Sequence, residues 1–419
     1  MLGLRHLPLR YRLPLIHGGL GLLARAQSRG WQKADGTHTP RRGDLVVSGF
    51  FGEALGIGRA GRLTADALKR AGYEVLEHDL RPSFRHILKN DADLPDGSGG
   101  VWLIHANAPE AVIAFLAHPA AQWNDRYRIG YWAWETSRVP KDWLFAADYL
   151  HEIWVPSHYV GRALVSAMAL AGRQDLTAKV HVMPHPVPMA AAGEGRRDHA
   201  RGRFGLDPTL CEVLSLFDTK SSAARKNPWG AVEAWQRTFP QPTKAARLTL
   251  KVVDLERDRP TEQRLNALLA ERPDIRLVSE RFDDRDMSAF IAAFDVLISL
   301  HRSEGFGLAL AEAMAAGVAV IATAGSGNDD FMTTDNARLV TASPVPVRDA
   351  DGPYGHLEGQ AGQTWGEPSI WEAARALRQL IEDKALRDQI AAAGREAVRD
   401  LQAPWRRDAL TALDFNAYL

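Results

Sequence analysis

From Asp44 onward, short apolar runs alternate with segments whose apolar residues recur every three or four positions. DLVVSGFF reads as a strand, and GRAGRLTADALKRAG as an amphipathic helix closed by Gly72. YEVLEHDL, VWLIH, RIGYWAW and EIWVPS are further runs of strand length, and APEAVIAFLAHP and SHYVGRALVSAMALAG have helical spacing. VHVMPHPVPMAAAGEGRRD then breaks the rhythm with proline, glycine and charge and reads as a linker ending near Ala200. The alternation restarts with CEVLSLFD, LTLKVVD, IRLVS, VLISL and VAVIAT as strands. Between them NPWGAVEAWQRTF, TEQRLNALLAERP, DMSAFIAAF and LALAEAMAAG are helical, as is the whole of WEAARALRQLIEDKALRDQIAAAGREAVRDL. The pattern predicts an α/β protein with two Rossmann-like parallel-sheet domains facing a central cleft. Expected boundaries are a basic extension over 1–42, a first domain over 43–187, a linker over 188–200 and a second domain over 201–395. Residues 396–419 form a last helical segment expected to pack back on the first domain.

A chain of 419 residues is too long for one ordinary core, which agrees with two domains. Its 51 basic and 51 acidic side chains cancel, so charge gives no support to a nucleic-acid partner. Cys211 is the single cysteine, which excludes an internal disulfide or a cysteine metal cluster and fits a reducing cytoplasm. Only the start is lopsided. Arg5, Arg10, Arg12, Arg25 and Arg29 precede the first acid, Asp35. Pro8, Pro14 and the arginines interrupt the apolar stretch, so it reads as neither a signal peptide nor a membrane span. Residues 1–31 are instead expected to be a tail, a packed extension, or a peripheral contact with an anionic membrane surface.

The densest chemistry lies in EGFGLALAE, Glu304 to Glu312, between VLISL and GVAVIAT. A loop at the carboxyl end of a parallel strand is where open α/β sheets bind ligands. The following helix, from about Leu308, offers unpaired N–H groups and a positive dipole end, a seat for phosphate. Gly305 and Gly307 let the backbone approach that phosphate. Glu304 stands before the helix and Glu312 about 6 Å along its axis, at ~1.5 Å per residue. Carboxylates suit vicinal hydroxyls, so one acid is placed for a sugar and the other for a ribose, with a diphosphate between them. The plainer alternative is a surface loop and a core helix with Glu312 on its exposed face.

SEGFGLALAEAMAAGVAVIATAGSGNDDFM resembles the E-x7-E region of retaining glycosyltransferases of family 4, which have the GT-B fold. GYWAWETSRVPKDW, EIWVPSHYV and FDTKSSAARKNPWGAVEAW are similar to a bacterial branch found among surface-polysaccharide enzymes. The resemblance implies transfer of a hexose from a nucleoside-diphosphate sugar with retention and without a required metal. Mannose or glucose is the expected sugar, a glycan or lipid-linked molecule (suggested by the basic N-terminus) the expected acceptor, and no cofactor is expected beyond the nucleotide-sugar co-substrate. A cytoplasmic enzyme is expected from the single cysteine, and the basic N-terminus points to a peripheral contact at the inner face of the cytoplasmic membrane as one alternative. The resemblance assigns Glu304 to the donor sugar, Glu312 to the ribose, and Gly305, Phe306, Gly307 and Leu308 to the sugar and diphosphate. It assigns Lys226 to the leaving diphosphate, where charge develops during transfer. Relatives carry Gly-Arg at the end of the strand that here reads LSLFD; Asp218 stands there, and Lys220 or Arg225 is the expected substitute. Ser326 and Asn328, after VAVIAT, complete the donor side.

On the acceptor side, GFFGEALGIGRAGR, with Gly56 and Gly58, resembles the family's glycine-rich loop. His105 and Asn107 of IHANAP resemble a cleft motif, Glu135 lies near a sugar-contacting position, and Trp132 and Trp134 are candidate sugar platforms or core. Gly56 to Gly61 also spell G-x-G-x-x-G, with Asp79 downstream, so a nicotinamide dinucleotide is a rival ligand. It suffers from placement, since the strand ends about six residues before Gly56. A nucleotide-sugar epimerase and a non-catalytic sugar-nucleotide binder also remain.

Overall fold

A computed structural model describes residues 7–52, 56–95, 97–189 and 194–419. Arg5, residues 53–55 of the glycine-rich loop and residues 190–193 of the expected linker lie outside the described residues. The chain forms two compact units, Met1–Pro186 with Gln402–Leu419, and Val187–Leu401.

The first unit is built on six parallel strands: β1 (Leu45–Gly49), β2 (Val75–Asp79), β3 (Val101–Ile104), β4 (Tyr127–Tyr131), β5 (Glu152–Val155) and β6 (Val180–Val182). Their order is β2-β1-β3-β4-β5-β6. β1, β3, β4 and β5 are buried at every position, which is why they read as unbroken apolar runs rather than alternating ones. β6 escaped the sequence reading because three half-buried residues at a sheet edge leave almost no pattern.

The N-terminal extension is more ordered than a tail. Leu9–Gln27 is a helix despite Pro14, and Trp31 anchors the segment after it. That indole lies edge-on to Trp123 and Tyr149, at 5.4 and 5.2 Å between ring centres. The C-terminal segment closes the same unit. Trp405, Leu410 and Phe415 share a core with Leu45, Val47, Leu68 and Trp154, and the Trp405 indole donates to Pro184 O at 2.7 Å. The crossover back to this unit falls at Gln402 rather than at 396, because the helix Lys384–Asp400 runs unbroken through that point.

The second unit repeats the plan with β7 (Cys211–Asp218), β8 (Ala246–Val253), β9 (Ile275–Val278), β10 (Val296–Ser299), β11 (Ala319–Thr323) and β12 (Arg338–Val340). The order is β12-β11-β10-β7-β8-β9, all parallel. An antiparallel hairpin, β13 (Ala342–Pro346) with β14 (Thr364–Pro368), follows β12. Two expectations are corrected here. The end of the supposed linker is the helix Glu194–Phe204, whose Arg201 is tied to Asp295 at 2.6 Å. The C-terminal helical tract is two helices, Ile370–Glu382 and Lys384–Asp400, separated at Asp383, which leaves the helical region and caps the second helix through Leu386 N.

Candidate active site

In the second unit the strand order reverses between β7 and β10, and a crevice at the carboxyl ends of the strands is expected at such a point. The two loops that leave there meet. After β7, Asp218 Oδ1 accepts from Lys220 N at 2.9 Å. The chain then turns through Ser222 into a short helix, Ala223–Lys226, capped by Ser222 Oγ on Arg225 N at 3.0 Å. Asn227, left-handed at φ +50°, heads the next helix, Pro228–Thr238, and its Nδ2 donates to Leu300 O at 2.9 Å. After β10, Arg302 N donates to Arg225 O at 2.7 Å.

That stitching delivers two cations to one carboxylate. Glu304 Oε1 takes Lys226 Nζ in a hydrogen-bonded ion pair, and Oε2 lies 3.2 Å from the Arg225 guanidinium, which also donates to Ser303 O at 2.8 Å. Arg225 and Glu304 are buried and Lys226 is half-buried. Burial alone would raise the Glu304 pKa, but Lys226 first and Arg225 second overcome it and hold the carboxyl at about 2. Two more carboxylates feel these cations, Asp349 acting on Arg225 and Asp218 on Lys226.

The helix behind Glu304 spans Leu308–Ala315. Gly307 enters it at φ +91°, where a side chain would be strained and would meet Leu310 at 2.9 Å. Phe306 is buried against Phe331, 5.1 Å between ring centres. Glu312 is half-buried one turn into the helix. The loop after β11 completes the floor: Ser326 Oγ accepts from Glu304 N at 3.2 Å, and Gly327 N donates to Glu304 O at 2.8 Å. Asn328 Nδ2 donates to Thr323 O at 3.0 Å, which turns its Oδ1 toward His301 Nε2 at 3.2 Å. Burial lowers the His301 pKa to about 4, against the opposing pull of Glu304. The neutral ring therefore donates from Nε2 to Asn328 and accepts at Nδ1 from Ser299 Oγ, 3.0 Å away.

Sequence reasoning left Lys220 and Arg225 as equal candidates beside Asp218. Arg225 is the one at Glu304. Lys220 instead pairs with Asp254 at 2.9 Å, an acid also held by Arg281. In the first unit, Gly56 opens the helix Ile57–Arg70 and Gly58 is buried in it. β1 ends at Gly49, so the glycine run is not the turn of a dinucleotide fingerprint. His105 is buried at the end of β3, its pKa pushed down to about 3 by burial. Asn107 Oδ1 accepts from Ala133 N at 2.8 Å, joining the loops after β3 and β4. Glu135 is half-buried in that second loop. Trp132 and Trp134 are both packed edge-on against Trp143, and the Trp134 indole donates to Arg138 O at 2.9 Å; both behave as core. Sequence reasoning missed His301, Ser222 and Asp349. A histidine two residues past a strand end was the only local signal among them.

Residues 223–351 match the family model described as Glycosyl transferases group 1, which spans the loop of Arg225 and Lys226, Glu304 and the helix behind it. No curated protein matches the sequence. Among solved structures, HepE from Anabaena in complex with UDP and glucose aligns at a TM-score of 0.61 and 13% identity, over 88% of this chain and 100% of that one. A glycosyltransferase from Rickettsia africae aligns at 0.60 and 13%, over 91% and 98%. WaaG, a glycosyltransferase involved in lipopolysaccharide biosynthesis, aligns at 0.56 and 15%, over 88% and 99%. The shared architecture, two six-stranded Rossmann-like parallel sheets, is the GT-B fold.

Proposed function

We propose that this glycosyltransferase moves a hexosyl unit from a nucleoside-diphosphate sugar to a glycan or lipid-linked acceptor, with retention of configuration, as a step in surface-polysaccharide synthesis. The observation that carries the donor site is the Arg225–Lys226–Glu304 cluster beneath the N-terminus of the helix Leu308–Ala315. Its two side-chain cations, together with the helix N-terminus, suit a diphosphate. Glu312, half-buried on the same helix, is read as the partner of ribose hydroxyls.

The chemistry follows from what Glu304 is unable to do. With a pKa of about 2 it holds no proton to donate near neutral pH, and two cations damp its nucleophilicity. It is therefore a positioning carboxylate: it orients Lys226 and accepts from donor-sugar hydroxyls. As the glycosidic bond to phosphate breaks, negative charge grows on the leaving oxygen, and Lys226 and Arg225 stabilise it. We read that oxygen as the base that takes the acceptor proton on the same face, which yields retention. Because two side-chain cations meet the diphosphate charge, the reaction is read as metal-independent, and activity should survive dialysis against EDTA. The HepE complex with UDP and glucose and the role of WaaG in lipopolysaccharide synthesis support a nucleotide-sugar donor and a surface-glycan acceptor here.

The test is calorimetric titration with GDP, UDP, ADP and NAD, beside Glu312→Ala. One nucleoside diphosphate should saturate the protein, and Glu312→Ala should weaken it by about tenfold, ~1.4 kcal/mol. Binding of NAD alone would overturn the reading.

A further inference from the structure

The loop that presents Arg225 and Lys226 does not hold its shape by itself. Ser222 sits at φ +71°, ψ 109°, a backbone conformation that side chains other than glycine rarely adopt. Strain of this kind persists where the surroundings fix it, and here both sides of the residue are fixed. Its Oγ accepts from Arg225 N at 3.0 Å and donates to Asp349 Oδ1 at 2.8 Å. Asp349 belongs to the loop between β13 and β14, 127 residues further along the chain.

That loop is built around the contact. Asp349 and Ser222 are both buried. The second carboxylate oxygen accepts from Tyr354 N at 2.9 Å. Gly352 lies so close that a side chain there would begin 2.2 Å from the carboxylate, so the turn leaves Asp349 one place to be. The Tyr354 ring lies 5.8 Å from the Arg225 guanidinium. The hairpin is bolted to the partner loop as well: Arg302 forms a two-point pair with Glu367 at 2.6 and 2.8 Å, and Gly366 N donates to Arg302 O at 2.8 Å.

We infer that the segment 341–369 is a strap that shapes the diphosphate clamp, with Asp349 as a positioning residue acting through Ser222 on Arg225 and Lys226. The inference rests on reading those two cations as the diphosphate seat. The strap acts on the clamp through its contacts with Ser222 and Arg302. It fixes the turn from which both cations project, so its loss costs discrimination for phosphate rather than binding of the nucleoside.

Ser222→Gly tests this cleanly, because glycine accepts the same backbone angles while removing the hydroxyl that joins Asp349 to Arg225 N. Asp349→Ala removes the other end. Each variant, and the double variant, is titrated with the nucleoside diphosphate that binds wild type and with the matching nucleoside. Each single change should weaken the diphosphate by about tenfold and leave the nucleoside within about twofold. The double variant should be no worse than either single one, because both cut the same chain of contacts. Parallel weakening of both ligands, or a fall in melting temperature with the diphosphate preference intact, would show the strap to be ordinary scaffold and overturn the inference. Failure of wild type to bind any nucleoside diphosphate would remove the donor reading and this inference together, and is seen before any variant is made.

Discussion

Glu304 shows how far environment decides what a carboxylate does. Buried alone it would be a candidate proton donor; buried between Lys226 and Arg225 it is an anion at every working pH. Glu304→Gln keeps the shape and leaves two cations facing each other. It should lower kcat/KM by about 10²–10³, the range seen when one charge-stabilising group is removed. Steady-state kinetics with the donor found by titration check this. The same pair predicts an acid limb. The folded pKa, about 2, lies below the ordinary 4.5, so the pair stabilises the protein above pH 4.5 and loses that contribution as pH falls through 2. Acid unfolding followed by fluorescence should lack that part of the transition in Glu304→Gln, whereas an unchanged curve would contradict the ion pairs.

At the scale of elements, the helices explain themselves by what lies at their ends and on their faces. The helix Leu308–Ala315 is short, and its value lies in its first turn, entered through Gly307 and floored by Ser326 and Asn328. The helix Leu9–Gln27 has the opposite character: Ala24 is its one buried residue, while Tyr11, Leu15 and Leu22 are exposed, Leu22 at 69%. Arg10, Arg12 and Arg25 lie on the same helix, and no acid accompanies them. No helix among the described residues is long and apolar enough to cross a membrane. An apolar face beside arginines suits the surface of an anionic bilayer, each cation adding roughly 1 kcal/mol there. We therefore expect the protein to sediment with vesicles containing anionic lipid and not with neutral ones. Leu15→Asp with Leu22→Asp should weaken that binding at least about tenfold. Equal sedimentation of the double variant would return this helix to the role of a packed extension.

At the scale of the whole molecule, the chain end is part of the first unit's core. Trp405 is buried, edge-on to Trp154 at 6.0 Å and bonded to Pro184 O. Trp405→Ala should cost about 3–5 kcal/mol in stability, read by denaturant unfolding. Buried histidines add a second global property. Burial lowers His78 and His301 to about 4, and His105 and His151 to about 3, from the ordinary 6.5. The unfolded chain takes these protons first, so stability is lost as pH falls below 6.5 and the melting temperature should drop steadily between pH 6.5 and 4. A flat profile there would count against their burial. The alternation of elements was legible in the sequence because strands buried on both faces must be apolar throughout and the helices between them amphipathic. The EGFGLALAE turn was legible for a similar reason: glycine, acid and helix start are contiguous. What the local pattern omits is partnership. It left Lys220 and Arg225 as equals, and only the meeting of the loops after β7 and β10, 78 residues apart, gave Arg225 to Glu304 and Lys220 to Asp254. Asp349 had no signal at all, since its role exists only where a distant turn places it against Ser222. Periodicity records which face of an element is buried; the fold alone records what it is buried against.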